Sequence, residues 1–220
     1  MTESVRRPIA QRDRFYAKAL TRWLANSKVT PNLISFTSIV FAGLAGLCFY
    51  AQGVTNSIGD RVMLLIGAAL FCQLRLLANM LDGMVAVEAE KGGPDGPVWN
   101  ELPDRFADIF ILVGAGYGVA VLGLAEPSLG WAAAVAAVMT AYVREVGKGA
   151  GAPPDFSGPM AKPHRMFVMT MAALISTLEP LWNWRGELIH YALWLVLIGS
   201  IVTTINRTRR ALKALKAAKS

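Results

Sequence analysis

Long, nearly uncharged apolar runs recur along this chain and restrict its fold more than any other feature. Each run is close to the roughly 20 residues that a helix needs to cross a hydrocarbon core of about 30 Å. The runs are continuous, whereas the strands of a membrane barrel would alternate apolar and polar residues over about 10 positions. The sequence therefore predicts an all-α, polytopic membrane protein with about six transmembrane helices. The predicted spans are 33–52, 61–87, 100–123, 128–148, 166–182 and 188–206.

A mixed segment precedes the first span. Residues 8–28 combine apolar side chains such as Phe15 and Trp23 with several arginines and lysines. This mixture predicts an N-terminal amphipathic helix that lies on the membrane surface, and a flexible basic tail is the alternative. At the other end, clustered cations predict that residues 207–219 are a helix end that is solvated or contacts lipid headgroups. The predicted divisions are an amphipathic segment at 1–32, a six-helix transferase domain at 33–206 and a basic cytoplasmic tail at 207–220.

Basic residues are unevenly distributed between the two sides of the membrane. They cluster at both chain ends and in the loops after the second and fourth spans, whereas the opposite loops hold essentially Arg61 and Arg185. The positive-inside rule then places both termini in the cytoplasm, and we expect a bacterial inner membrane with its lipid as the surroundings. This pattern accounts for the net charge of +7 without nucleic acid as a partner.

Polar stripes interrupt the second and third spans. Their members recur at steps of three or four residues, which places them on one face of each helix. They are Arg75, Asn79, Asp82 and Ala86 on the second span, and Asn100, Asp104 and Asp108 on the third. A carboxylate near hydrocarbon is costly unless it is paired, hydrated or metal-bound, so such residues usually carry function. We expect the two stripes to face each other near the cytoplasmic side.

Hard oxygen ligands dominate the place where these stripes would meet. Antiparallel helices joined by a short loop would gather Asn79, Asp82, Asn100 and Asp104. Carboxylate and amide oxygens suit Mg²⁺ or Mn²⁺ better than zinc or copper. The sequence therefore predicts a site for one of these divalent ions.

Two other interpretations of the stripes stay open. Arg75 and Arg105 could neutralise the aspartates as buried ion pairs, while the asparagines hold helices together by hydrogen bonds. A small transporter could instead use the three aspartates as a proton or cation relay, although no repeat or pair of broken helices is visible.

At this point the sequence resembles the CDP-alcohol phosphotransferase family. The signature of that family, D-x2-D-G-x2-A-R-x8-G-x3-D-x3-D, extends over two adjacent membrane helices. Laid on this chain without a gap, it matches Asp82, Gly83, Ala86, Gly96 and Asp104. It departs at three positions, where Asn79 and Asn100 stand for the first and third aspartates and Val87 stands for the arginine.

Three further segments carry the resemblance. Thr30-Pro31-Asn32 is similar to the Thr-Pro-Asn sequence that begins the first span in this family. The segments 142–144 and 158–165 resemble the family's cationic region near the acceptor pocket. Their cations could also serve only the positive-inside rule.

The resemblance implies a metal-dependent transferase of phospholipid synthesis. Such an enzyme moves a substituted phosphate from a CDP-linked donor, commonly CDP-diacylglycerol, to a small alcohol or alcohol phosphate, and releases CMP. One divalent ion or a pair of them would bind the pyrophosphate. Carried over by position, the metal ligands are Asn79, Asp82, Asn100 and Asp104, with Asp108 as an additional candidate. Asp104 is also the candidate catalytic base.

The remaining roles follow from the same resemblance. The candidate nucleotide-binding residues are Asp82, Gly83, Ala86 and Gly96, and the candidate acceptor-binding residues are Arg144, Lys162 and Arg165. A homodimer is implied as a possible assembly, with Gly114-x3-Gly118 allowing close helix approach.

The departures from the signature weaken one part of this interpretation. Each exchange of aspartate for asparagine keeps an oxygen ligand but removes a negative charge, so a pair of divalent ions would be poorly neutralised and one could be lost. Val87 leaves the identity of the donor open. A catalytically impaired relative that binds CDP-lipid as a membrane subunit is therefore the alternative function.

Overall fold

Six α-helices account for most of the residues described by the computed structural model, which are 20–21, 23–24, 29–88 and 95–218. For Glu88, Pro97 and Asn100 this description covers the backbone alone. The helices are α1 (Pro31–Val54), α2 (Ile58–Glu88), α3 (Gly96–Val121), α4 (Ser128–Gly149), α5 (Lys162–Ser176) and α6 (Glu187–Ala217), with a 3₁₀ turn at Glu179–Trp182. The described residues contain no strand, and the predicted all-α class is confirmed.

Four helices are long and apolar enough to cross a membrane, namely α1, α2, α4 and α6. Of the other two, α3 carries charged residues such as Asp104 and Asp108, and α5 is only 15 residues long. The prediction of a helical membrane protein is confirmed. The count of six spans stays a prediction.

The predicted end of the fifth span is wrong. This span was expected to reach residue 182, but α5 ends at Ser176 and the 3₁₀ turn follows, because Pro180 cannot continue an α-helix. The sixth span was predicted at 188–206 with a helix end after it, and α6 continues to Ala217. Alanine, leucine, lysine and arginine in this stretch all favour helix, so nothing in the sequence stops it. The predicted tail at 207–220 is therefore largely a continuation of this helix.

Only four residues of the predicted amphipathic helix at 8–28 are described, and all four are helical: Leu20, Thr21, Trp23 and Leu24. The two leucines pack against a small apolar cluster on α1 and α2. The Thr21 hydroxyl is buried and contacts Met84 Sδ at 3.7 Å. The rest of residues 8–28 lies outside the described residues.

The helices pack in an order that differs from their order in the chain. α1 packs closely against both α2 and α3, α4 packs against α3 and α6, and α5 packs against α2 and α6. By contrast, α2 and α3 contact each other at only a few residues. The two helices are therefore apart over most of their length, because α1 contacts both. They approach at one end, where α2 ends and α3 begins, which we call the motif end.

Glycines allow the backbones of α1 and α3 to touch. A Cβ atom on Gly114 would lie 2.2 Å from the Gly46 carbonyl oxygen, and one on Gly53 would lie 2.1 Å from the Gly118 oxygen. We call these four residues the glycine seam. Gly114 and Gly118 therefore serve packing within one chain, and their spacing gives no support to a homodimer.

A buried polar network lies at the opposite end of the bundle. The Arg61 guanidinium forms an ion pair with Glu179 and donates to Gln52 Oε1 at 3.1 Å. Glu179 also accepts from the backbone amides of Gly186 at 2.7 Å and Leu188 at 2.8 Å. Arg61 is 4% exposed, and Gln52 and Glu179 are fully buried. The sequence had suggested a loop cation at position 61, but Arg61 lies inside the bundle and helps to hold α2 near the 3₁₀ turn.

Candidate active site

The start of α1 is fixed at the motif end by its Thr-Pro-Asn sequence. The Thr30 hydroxyl accepts from the Leu33 amide and so caps the helix, and Pro31 occupies the first turn, where a missing N–H costs nothing. The Asn32 side-chain amide donates to Asp95 Oδ2 at 3.0 Å. This short sequence therefore connects the start of α1 to the residue that precedes α3.

Asp82 is held by neutral hydrogen-bond donors. The Ser35 hydroxyl of α1 donates to Asp82 Oδ2 at 2.6 Å, and the Gly83 amide donates to Oδ1 at 2.5 Å. The residue is only 4% exposed. Among the described residues, no cation lies within ion-pair distance of this carboxylate. Asp82 therefore keeps its negative charge available to a positively charged ligand.

Asp104, in contrast, is surrounded by cations. Arg75 Nη2 donates to Asp104 Oδ1 at 3.0 Å, and the Lys162 ammonium donates to Oδ2. Arg105 Nη2 lies 3.9 Å from Oδ2, although it pairs more closely with Glu101 at 3.0 Å. The alternative interpretation of the stripes as ion pairs is thus confirmed for Arg75 and Asp104.

Lys162, the first residue of α5, bridges the two polar stripes. Its ammonium donates to Asn79 Oδ1 on α2 and to Asp104 Oδ2 on α3. We call this arrangement the Lys162 bridge. The buried nitrogen atoms around it are only partly satisfied, since Asn79 Nδ2 and two nitrogens of Arg75, Nε and Nη1, have no hydrogen-bond partner among the described residues.

Asp108 forms a separate ion pair one turn deeper in the bundle. Arg165 Nη2 on α5 donates to Asp108 Oδ2 at 2.6 Å, and both side chains are almost completely buried. Arg165 Nη1 also donates to the Met160 carbonyl oxygen at 2.8 Å and contacts the Thr140 hydroxyl at 3.3 Å. Asp108, a candidate metal ligand, and Arg165, a candidate for acceptor binding, therefore neutralise each other.

Arg144 lies at the edge of the motif end, where α4 ends. Its guanidinium pairs with Glu101 and with Glu145, the latter at 2.8 Å, and lies 4.9 Å above the Phe156 ring. The Glu145 side chain is 43% exposed, so this pair is accessible from outside. Of the three candidate acceptor-binding cations, Arg144 is the one beside solvent-accessible carboxylates.

The candidate nucleotide-binding residues other than Asp82 are less buried than the aspartates. Gly83 and Ala86 are half-buried on α2, and Val87, which replaces the signature arginine, is 46% exposed. A Cβ atom on Gly96 would meet nothing within 4 Å, so there is open space beside the first residue of α3. The backbone of Asn100 lies in the first turns of the same helix.

The segment 150–161, which leads into Lys162, is held by the last helix. Arg207 on α6 donates to the carbonyl oxygens of Ser157 at 2.9 Å and Thr140 at 2.7 Å. The Met160 amide donates to the Thr203 hydroxyl at 2.9 Å. Gly158 has a φ of +133° and packs so tightly on Thr203 that a Cβ atom would lie 2.5 Å from its Cγ2 atom. The cations of the predicted tail therefore position this segment.

An exposed ion pair adds to the same anchoring. Arg210 Nε donates to Asp155 Oδ2 at 2.6 Å. Partial burial acts in the opposite direction, but hydrogen bonds from Ser157 together with the Arg210 guanidinium hold the pKa of Asp155 below its ordinary value. This carboxylate stays charged at neutral pH and keeps α6 attached to the segment.

Sequence reasoning missed three residues of this end: Ser35, Thr140 and Arg207. Ser35 and Ser38 are buried polar residues on one face of α1, and that periodicity was the available signal for Ser35. Thr140 and Arg207 carried no comparable signal, because Arg207 donates to the Thr140 backbone oxygen across 67 residues of the chain.

The oxygen atoms of the motif end fit a hard divalent cation. Among the described residues, no three His, Cys, Asp or Glu side chains come together as a metal-binding group. The available metal ligands are instead the oxygen atoms of the Asp82 and Asp104 carboxylates and of the Asn79 amide, all of which are hard ligands. The partnerless Asn79 Nδ2 shows that this side chain is oriented by its oxygen atom.

Comparisons with known proteins agree with this geometry. No model of a known protein family matches the chain. A phosphatidylinositol phosphate synthase of Mycolicibacterium smegmatis is 27% identical over 184 residues, which cover 81% of this chain and 76% of that protein. The inner membrane protein YnbA of Escherichia coli is 26% identical over 193 residues, which cover 86% of this chain and 88% of YnbA.

The fold matches crystal structures of Mycobacterium tuberculosis phosphatidylinositol phosphate synthase. The structure with CDP-DAG bound gives a TM-score of 0.74 at 20% identity, covering 89% of this chain and 93% of that one. The complex with manganese and citrate gives a TM-score of 0.73 at the same identity, with 89% and 88% covered. At this level of identity the likeness shows that the fold is shared.

Fold and site together define a helical membrane protein with a two-helix acidic motif at one end of its bundle. The gapless signature, the shared fold and the similarity to phosphatidylinositol phosphate synthase all support the CDP-alcohol phosphotransferase family. Asn79, Asn100 and Val87 are the positions at which the chain departs from the signature of that family.

Proposed function

We propose that this protein transfers a phosphatidyl or other substituted phosphate group from a CDP-linked donor, CDP-diacylglycerol in the first instance, to an alcohol with release of CMP. The observation that carries this proposal is the environment of Asp82. Neutral hydrogen-bond donors hold this signature carboxylate in place, and no cation among the described residues neutralises it. The names of the relatives support the same reaction class.

The first part of the site would hold the donor. Asp82 and Asn79, with Asn100 on the next helix, would hold Mg²⁺ or Mn²⁺, which when bound would neutralise the charge that develops on the leaving CMP. The manganese complex of the structural neighbour supports this choice of ion. Gly83 and Ala86 are small enough to let the nucleotide approach α2, and the open space beside Gly96 offers room on α3.

The second part of the site would activate and hold the acceptor. In the reaction, the acceptor hydroxyl oxygen forms a bond to the donor phosphorus while the bond from that phosphorus to the CMP oxygen breaks. Asp104 is the candidate base for the hydroxyl proton, since its oxygens have acceptor capacity beyond the contacts from Arg75 and Lys162. Because two cations stabilise its charged form, Asp104 would be a weak base. We therefore expect slow turnover.

An anionic acceptor would be held at the edge of the motif end. Arg144, Lys162 and Arg165 are the proposed cations, and each already has a carboxylate partner. A phosphate on the acceptor would compete most easily for Arg144, because its partners Glu101 and Glu145 are the more exposed ones. This favours an alcohol phosphate over a neutral alcohol.

The second candidate function is a catalytically impaired subunit that binds CDP-lipid without turnover. Its specific support is the loss of negative charge at Asn79 and Asn100, together with the pairing of Asp104 by Arg75 and Lys162. A protein of this kind would keep the donor pocket but lack an effective base.

One experiment separates the two functions. Purified protein in lipid nanodiscs is incubated with labelled CDP-diacylglycerol, Mg²⁺ or Mn²⁺ and a panel of acceptors that includes inositol phosphate and glycerol phosphate, and CMP and new lipid are measured. We expect CMP release that falls by roughly 100-fold or more in Asp82→Asn. Asp60→Asn, at the exposed start of the same helix, is the matched control and should keep wild-type activity.

The outcomes are distinct. Donor binding without CMP release under any acceptor would establish the impaired subunit. A chain that neither binds the donor nor releases CMP would contradict both functions.

A further inference from the structure

The signature positions of this chain carry too little negative charge for a pair of divalent ions. Of the four positions at which the family signature has aspartate, only Asp82 and Asp104 retain a carboxylate. Arg75 already forms an ion pair with one of the two, Asp104. A pair of divalent ions carries four positive charges in total, and the groups around them could not neutralise this charge. Such uncompensated charge is unfavourable in a partly buried site.

A protein cation occupies the middle of this incomplete signature. The Lys162 ammonium contacts Asn79 Oδ1 and Asp104 Oδ2, which are the first and the last signature positions. Its side chain is only 11% exposed, so the charge is placed inside the protein rather than in solvent. The Asn79 amide faces the ammonium with its oxygen, and its Nδ2 atom has no partner in the part of the chain that the structure describes.

The backbone around Lys162 keeps this ammonium in place. Lys162 is the first residue of α5, and Arg165, one turn later, is fixed by Asp108 at 2.6 Å and by the Met160 carbonyl oxygen at 2.8 Å. Met160 is in turn fixed by the Thr203 hydroxyl on α6. The position of the ammonium thus follows from contacts on both sides of it in the chain.

We propose that the Lys162 ammonium is a built-in cation that replaces one of two divalent ions, so that the signature of this chain binds a single divalent ion beside Asp82. This inference rests on the proposed function, since it concerns the same site and the same ion. It explains why asparagine at position 79 is compatible with the site. One lone pair of its oxygen accepts from the ammonium and the other would be left for the single ion, so a carboxylate is not required. The ligand class of the remaining position is one hard divalent cation with oxygen ligands.

Manganese binding tests the proposal without any substrate. The probe is Mn²⁺ alone, titrated into purified protein in nanodiscs, with the free ion measured by electron paramagnetic resonance. We expect one Mn²⁺ per wild-type chain. Lys162→Met should bind Mn²⁺ at least about tenfold more tightly, because a positive charge close to the ion is removed. Lys148→Met, an exposed lysine on the same side, is the control and should change affinity less than about twofold.

Restoring the aspartates tests the replacement directly. The double variant Asn79→Asp with Asn100→Asp should still bind one Mn²⁺ while Lys162 is present. The triple variant, which adds Lys162→Met, should bind two. Equal stoichiometry in the double and triple variants, or equal affinities in Lys162→Met and Lys148→Met, would overturn the proposal. So would a wild-type chain that binds two Mn²⁺ ions or none, and that measurement requires no variant to fold.

The outcome of the Mn²⁺ titrations can be distinguished from the outcome for the proposed function. One Mn²⁺ with the expected effect of Lys162→Met, but no CMP release, would remove the transferase function and leave the built-in cation. CMP release by a chain that binds two Mn²⁺ ions would do the reverse.

Discussion

The three aspartates of the motif end have three different environments. Asp82 accepts from a hydroxyl and an amide, Asp104 is paired with Arg75 and Lys162, and Asp108 is paired with Arg165. A carboxylate's partners decide what it can do, since a neutral donor leaves its charge available and a buried cation neutralises it. The stripe thus contains one carboxylate held by neutral groups, one paired with two cations and one in a fully buried ion pair.

The buried Asp108 pair should contribute strongly to stability. Asp108→Asn keeps the shape of the side chain but leaves the Arg165 guanidinium as an uncompensated buried charge. We expect a loss of roughly 3 kcal/mol, measured by thermal unfolding in detergent without metal. Glu145→Gln, which removes the exposed partner of Arg144, should cost less than about 1 kcal/mol. Equal effects in the two variants would show that Asp108 is not paired as described.

At the residue scale, the sequence was sufficient to choose the candidate site residues, but it could not predict which residues they pair with. Helical spacing and the family signature were sufficient to select Asn79, Asp82 and Asp104. Lys162 lies 58 residues after Asp104 in the chain, so no local pattern could place its ammonium on that carboxylate. Long-range pairing depends on helix order in space, which spacing along one helix does not determine.

At the scale of elements, the glycine seam determines how α1 and α3 pack. The two helices run in the same direction, since Gly46 faces Gly114 and Gly53 faces Gly118. Close backbone approach of this kind allows van der Waals contact that side chains would prevent. The polar start of α1, with Ser35, is consequently brought close to Asp82.

A side chain in the seam should separate these helices. Gly114→Ala places a Cβ atom 2.2 Å from the Gly46 oxygen, and we expect a loss of about 1–3 kcal/mol or more. Gly43→Ala is the matched control, because its nearest neighbour would be Phe110 Cδ2 at 4.0 Å. Thermal unfolding with light scattering measures both variants. A change in oligomeric state without loss of monomer stability would contradict a seam within one chain.

The helices that differ most from expectation are α5 and α6. Hydropathy alone predicted the first four helix bounds closely, because each is an apolar run between turn residues. For α6, it ended the span at residue 206 and assigned the cations beyond it to a helix end that is solvated or contacts lipid headgroups. Arg207 instead satisfies backbone oxygens of Ser157 and Thr140, which makes it a buried structural residue.

For the whole molecule, the distribution of basic residues predicts that the motif end faces the cytoplasm. Single cysteines test this in a Cys48→Ser, Cys72→Ala background. Ser57→Cys and Lys148→Cys lie at exposed positions on opposite ends of the bundle. In intact spheroplasts, a membrane-impermeant maleimide should label Ser57→Cys but label Lys148→Cys only after permeabilisation. The reverse labelling pattern would contradict the orientation.

The Arg61–Glu179 network has a consequence for membrane permeability. It closes the opposite end of the bundle with a buried ion pair, and separating its partners would leave an uncompensated charge at a cost of about 3–5 kcal/mol. A water-filled cleft at the motif end would therefore stop within the bilayer. A transporter, by contrast, must expose its site to each side in turn. Under the proposed function, this network would let the site admit a charged nucleotide from one side without a leak of protons or ions to the other.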